Sequence, residues 1–130
     1  MLIASKLLDE LVAHAQVELP NESCGIIGVV DGRAVDFYPA RNRFESPMRF
    51  EIHPDDLYRI SQETDSRGQE MAVFHSHPNS EASPSQTDIN LASWWPGLAW
   101  IICSLAADEP VVRGFDIQGT AVSEIELVDG

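Results

Sequence analysis

Two periods alternate along this chain, and the points where one gives way to the other mark its elements. Leu7, Leu8, Leu11, Val12 and Ala15 recur at three- and four-residue spacing, which gathers them on one face of a helix. Ser5 stands ahead of that face as its cap, and the pattern carries the helix to about Glu18. Beyond the loop Pro20-Asn21-Glu22-Ser23, the run Cys24 to Val30 reads as a strand. Asp31-Gly32 reads as a tight hairpin turn and Arg33 to Tyr38 as the returning strand. A loop from Ala40 to Pro47 then feeds a short strand, Met48 to Ile52.

In the second half, Pro54, Asp55 and Asp56 open a helix that Gly68 ends, with His53 at the capping position. The apolar run Met71-Ala72-Val73-Phe74 is a buried strand closing on His75-Ser76-His77. After a turn-rich loop, Pro78 to Pro84, a helix is expected to about Trp94. Ser83 supplies its cap, Pro84 its first position, and Gln86 the acceptor three residues on, which leaves Ser85 and Asp88 free for other work. Pro96-Gly97 breaks this helix, and Leu98 to Leu105 is apolar almost throughout, as in a central strand covered on both faces. Val111 to Ile117 and Ala121 to Val128, joined at Gln118-Gly119, form an edge hairpin. Helices and strands alternate as in an α/β fold with one mixed central sheet flanked by helices. Residues 1–130 suit a single domain, long enough to bury a core without disulfide staples.

The candidate chemistry lies between Phe74 and Asp88. Alternate residues of a strand point to one face, so the imidazoles of His75 and His77 reach one spot. Asp88 falls in the first turns of the next helix, where the helix dipole favours a carboxylate. Taken singly these features are commonplace. A buried histidine is usually a satisfied core residue, and Ser85-x-x-Asp88 is a common capping pattern. Their coincidence over so short a loop points to a metal site with three protein ligands, whose open fourth position separates a catalytic zinc from a structural one. Two histidines and a carboxylate also describe the non-haem iron triad.

Charge narrows the partners. The chain carries 21 acidic against 8 basic side chains, a net −13. Such a surface repels phosphate backbones and gives no nucleic-acid partner. Six of the seven arginines fall between Arg33 and Arg67 and read as solvated surface. Cys24 and Cys103 sit in apolar runs and read as small buried hydrophobes, and His14 as structural. No apolar run approaches the length that spans a bilayer, and no basic leader precedes one. A cytoplasmic protein with no membrane partner is expected.

His75-x-His77, seven residues, Ser85, two residues, Asp88 resembles the full signature of the JAMM, or MPN-plus, metallopeptidases. Pro20 through Gly25 resembles that family's upstream glutamate segment, and Asn42 through Phe50 its Asn-x-x-x-Ser-Pro stretch. Arg113-Gly114-Phe115 and the hairpin after it are also similar, so nearly the whole chain is covered. The nearest resemblance is to the small bacterial Mec-type hydrolases of sulfur-carrier proteins. It implies a cytidine-deaminase-like α/β/α layering and one zinc per chain, on His75, His77 and Asp88. Glu22 would be the general acid/base and Ser85 an oxyanion donor. Without the resemblance, Glu22 is one of eleven glutamates and reads as a solvated loop carboxylate. The implied substrate is a small ubiquitin-like sulfur carrier, cut after its C-terminal Gly-Gly tail to release cysteine or a short peptide. Removal of ubiquitin-like tags from lysine side chains, or a metal-free scaffold role, are the alternatives within the same family. The sequence leaves the oligomeric state unassigned.

Overall fold

The computed structural model describes residues Met1–Gly130. In chain order the elements are β1 (Leu2–Ile3), α1 (Ser5–Val17), β2 (Cys24–Val30), β3 (Arg33–Ala40), α2 (Pro54–Ser66) and β4 (Glu70–His77). They continue with α3 (Gln86–Ala92), β5 (Ala99–Ser104), β6 (Val111–Gln118), β7 (Ala121–Ile125) and β8 (Val128–Asp129). All eight strands form one mixed sheet in the order β7-β6-β5-β4-β2-β3-β1-β8. β4 lies inside it, antiparallel to β2 and parallel to β5. β7 and β8 are only two residues apart in the chain yet stand at opposite ends of that order, so the sheet curls until its ends meet. Val128 N–H donates to the Met1 carbonyl where β8 pairs with β1.

Strand parity sorts the core into two layers. Ala72, Phe74, Ile27, Ile101 and Cys103 face Leu7, Leu11 and Ala15 of α1. Val73, Ile26, Trp100, Ile102 and Phe115 pack with Ile60 of α2 and Ala92 of α3 on the other face. Each fully buried aliphatic side chain here contributes roughly 1.5–3 kcal/mol relative to exposure. β5 is buried from Trp100 to Ser104, as its unbroken apolar run predicts for a strand covered on both sides. The hairpin turn forms at Asp31 and Gly32, both at positive φ (50° and 76°), the pair of left-handed residues that matches the twist of the flanking strands. Gly68, at φ 65°, follows the cap of α2, and the His53 side chain accepts from Asp55 N–H at 3.2 Å as that helix begins.

Three local expectations fail here. Ala121 to Val128 is not one strand: β7 stops at Ile125, and Val128–Asp129 pairs with β1 at the other end of the sheet. Ala4, not Ser5, holds the capping position of α1, with no side-chain cap; Ser5 is already helical. Met48 to Ile52 forms no strand, only a single bridge between Asn42 and Ile52. The physical reason is that Arg49 and Glu51 direct main-chain groups to the Asn42 side chain, which leaves too few for a ladder.

Candidate metal centre

β4 ends where its two histidines meet the start of α3. His75 follows Val73 on the α2/α3 face and is fully buried, with Phe50 stacked on its ring at 4.4 Å and Trp100 edge-on at 5.6 Å. His77 lies at the last position of the strand. Its Nδ1–H donates to the Glu81 carbonyl at 2.8 Å, which fixes the tautomer and leaves the Nε2 lone pair of the neutral ring facing the cluster. His75 Nε2, His77 Nε2 and Asp88 Oδ2 stand 3.0 to 3.1 Å from one another. Ligands about 2.0–2.1 Å from a tetrahedral ion are roughly 3.3 Å apart, so the triangle is within tenths of an ångström of holding one. It is also the buried cluster of potential metal ligands in this fold.

The start of α3 differs from the expectation. Ser83 is not its cap: the helix begins at Gln86 and Ser85 is the N-cap. Ser85 Oγ accepts from Asp88 N–H at 3.1 Å, while Asp88 Oδ2 accepts from Ser85 N–H at 3.0 Å. Ser85 and Asp88 are therefore not free of the capping role; they perform it, and Asp88 Oδ2 belongs to the cluster as well. The Ser85 hydroxyl proton is not used by the cap, because that oxygen acts there as an acceptor.

Electrostatics follow from burial. Burial raises Asp88, but His75, His77 and the Ser85 N–H outweigh it and hold the carboxyl well below the usual range. Burial lowers His75 below its ordinary value. It pushes His77 down too, but hydrogen bonds to Asp88 and the Glu81 carbonyl leave that ring raised. The structure brings Glu22 to the same place. It is 5% exposed, its Oε1 has no partner, and burial pushes its pKa up to about 8, with His77 and Asp88 acting in opposite senses. A buried, unpartnered carboxylate beside converging lone pairs is an arrangement that a cation would satisfy.

Three further residues shape the site without having been singled out from the sequence. Ser76, between the histidines, points to the opposite face, where its Oγ accepts from Ser23 N–H at 2.8 Å and Ser23 Oγ–H at 2.9 Å. This ties the histidine strand to the glutamate segment. Phe50 stacks on His75, and Asn42 binds the loop after β3 to Glu22. Phe50 and Asn42 bound the Asn-x-x-x-Ser-Pro stretch, which was the one available signal. Cys24 pairs with His75 across the sheet, but burial pushes its thiol up to about 12 and that of Cys103 to about 11. Both are free and buried, as small hydrophobes. His14 is structural, its Nε2 3.1 Å from the Cys24 carbonyl. Arg41, Arg43 and Arg67 are exposed but paired, with Asp56, Glu51 and both Asp36 and Glu63. Beside the site, Ile52, Leu57, Leu91, Trp94 and Trp95 line an apolar groove of about 490 Å³.

A convergent His-His-Asp set at the end of an inner strand, with a buried glutamate next to it, suits a metal-dependent hydrolase. The chain belongs to the family described as prokaryotic homologs of the JAB domain, whose model matches residues 4–118, and it is a metallopeptidase of the JAMM class. It is 34% identical over 110 residues to a desampylase of Haloferax volcanii, covering 78% of each chain. It is 28% identical over 96 residues to a CysO-cysteine peptidase of Mycobacterium tuberculosis, covering 72% of this chain and 66% of that one. A solution structure of a protein from Desulfitobacterium hafniense, 34% identical, superposes with a TM-score of 0.88 over 98% of this chain and 91% of the other. The expected α/β layering and family are thereby borne out.

Proposed function

We propose that this chain is a zinc peptidase that cuts the peptide bond after the Gly-Gly tail of a small ubiquitin-like sulfur-carrier protein. The observation that carries the reading is the triangle of His75 Nε2, His77 Nε2 and Asp88 Oδ2 with the buried Glu22 carboxyl beside it. His75, His77 and Asp88 would hold one zinc, which when bound would act as a Lewis acid and make water more acidic. Glu22 takes the proton of the attacking water and returns it to the leaving amine, a role suited to a carboxyl raised towards neutrality. Ser85 Oγ–H is free to donate to the carbonyl oxygen as negative charge develops there.

The substrate part of the reading is supported by similarity to proteins named CysO-cysteine peptidase and desampylase. No helix is long and apolar enough to cross a membrane, and a single-domain enzyme acting in the cytoplasm completes the proposal. Cleavage of the same tail from a lysine side chain would use the same residues and differ only in the leaving amine.

The test is elemental analysis of the purified protein, then mass spectrometry of two substrates: a carrier ending Gly-Gly-Cys, and the same tail joined to a lysine side chain. About one zinc per chain with release of cysteine from the linear substrate is the expected result. Cleavage of the lysine conjugate alone would replace this reading with the isopeptidase one. A zinc-loaded protein that cuts neither would overturn both.

A further inference from the structure

Glu22 lies between the loop after α1 and the first residue of β2, where no strand pairs with it. Both of its main-chain groups are instead taken by the segment that follows β3. Glu22 N–H donates to the Ser46 carbonyl at 2.8 Å, and the Glu22 carbonyl accepts from Asn42 Nδ2 at 3.1 Å. The second Nδ2 proton of Asn42 goes to the Arg49 carbonyl at 3.0 Å. Its Oδ1 accepts from Phe44 N–H at 3.0 Å and Glu51 N–H at 3.2 Å. Two donors and two acceptors are the whole capacity of a carboxamide, and here all four are used. Three bonds fold the 42–51 loop around the side chain; the fourth fastens the folded loop to Glu22.

We propose that Asn42 is a positioning residue for the reaction, setting the Glu22 carboxyl against the His-His-Asp site by fixing the Glu22 main chain. This rests on Glu22 being the acid/base of the proposed peptidase. The spacing explains why asparagine is needed. Aspartate keeps the bonds accepted from Phe44 and Glu51 but loses both Nδ2 bonds, to Glu22 and to Arg49, and alanine keeps none of the four. A displacement of about 1 Å at a reacting group is enough to cost on the order of 10²-fold in rate.

The experiment compares wild type with Asn42→Ala and Asn42→Asp by amide hydrogen exchange, metal content and steady-state kinetics on the Gly-Gly-Cys carrier. In the metal-free protein, both variants are expected to speed exchange at the Glu22 amide about tenfold or more while amides 72–76 of β4 stay protected. With zinc loaded, both are expected to keep one ion per chain and an unchanged KM while kcat falls on the order of 10²-fold. Asn42→Asp is the more informative variant, because it retains two of the three loop-forming bonds, those its oxygen accepts from Phe44 and Glu51. Wild-type kcat in Asn42→Asp would overturn the proposal, as would an unchanged Glu22 amide, or a rate loss that only tracks lost zinc. A wild-type protein that binds zinc and cuts no carrier would overturn the peptidase reading, and the positioning role with it. The exchange arm would still report separately whether Asn42 holds Glu22.

Discussion

His75, His77 and Asp88 are fixed by regular structure, whereas Glu22 beside them is fixed by a loop. The histidines sit on an inner strand with ladders on both sides, and Asp88 is locked into a capped helix. The ladder of β2 against β4 begins only at Cys24, and two serines extend it to Ser23. Glu22 depends on Ser46 and Asn42. Metal ligands tolerate errors of only tenths of an ångström, which suits the strand and helix ends. Glu22, the proposed acid/base, is held from outside the sheet, by two bonds to the loop after β3. One site is thus assembled from a half set by regular structure and a half set by a loop.

Substitutions that hit the two halves separately test that division. His77→Ala removes a ligand, and metal content is expected to fall from about one ion per chain to near zero, with activity lost; elemental analysis and the cleavage assay report it. Glu22→Gln is expected to leave metal content unchanged while kcat falls about 10²–10⁴-fold. If Glu22→Gln loses metal as well, the two halves are not separable. Ser85→Ala joins them, since it removes a helix cap together with the proposed oxyanion donor. A kcat loss of about 10²-fold should accompany roughly 1 kcal/mol of lost stability, read as a Tm lower by a few degrees.

A separate effect, on stability rather than on metal or rate, is the pH dependence without metal. Burial raises Glu22 from about 4.5 to about 8, so the folded chain keeps a proton that the unfolded chain gives up. Stability then falls as pH rises between those values. Denaturant titrations of the metal-free protein should show Glu22→Gln gaining on wild type from pH 5 to pH 8. A constant difference would mean that Glu22 is not buried as described.

The same division governs what could be read from the sequence. His-x-His closing an apolar run, and an aspartate in the next helix start, are periodic features, and the fold placed them together. The central strand and the Asp31-Gly32 turn were legible for the same reason. The failures fall where side chains compete with main chain. Ser83-Pro84 and Ser85-x-x-Asp88 offered two caps, and the second prevails because it closes reciprocal bonds at both ends. Met48 to Ile52 looked like a strand because nothing in its own pattern reveals that Asn42, several residues earlier, takes its hydrogen bonds. Glu22 has no periodic mark at all. Its importance emerges from contacts with residues 20 and more positions away, and in the sequence it was visible only through resemblance.

Asp88 answers to two demands with one side chain. Its Oδ2 closes the cap of a seven-residue helix and also completes the triangle with the histidines. Asparagine would preserve the cap but discard the negative charge. Glutamate would preserve the charge and could still reach back to the cap, but its extra methylene moves the oxygen off the point where both imidazoles meet. Variation that is harmless elsewhere on this helix is therefore barred here twice over.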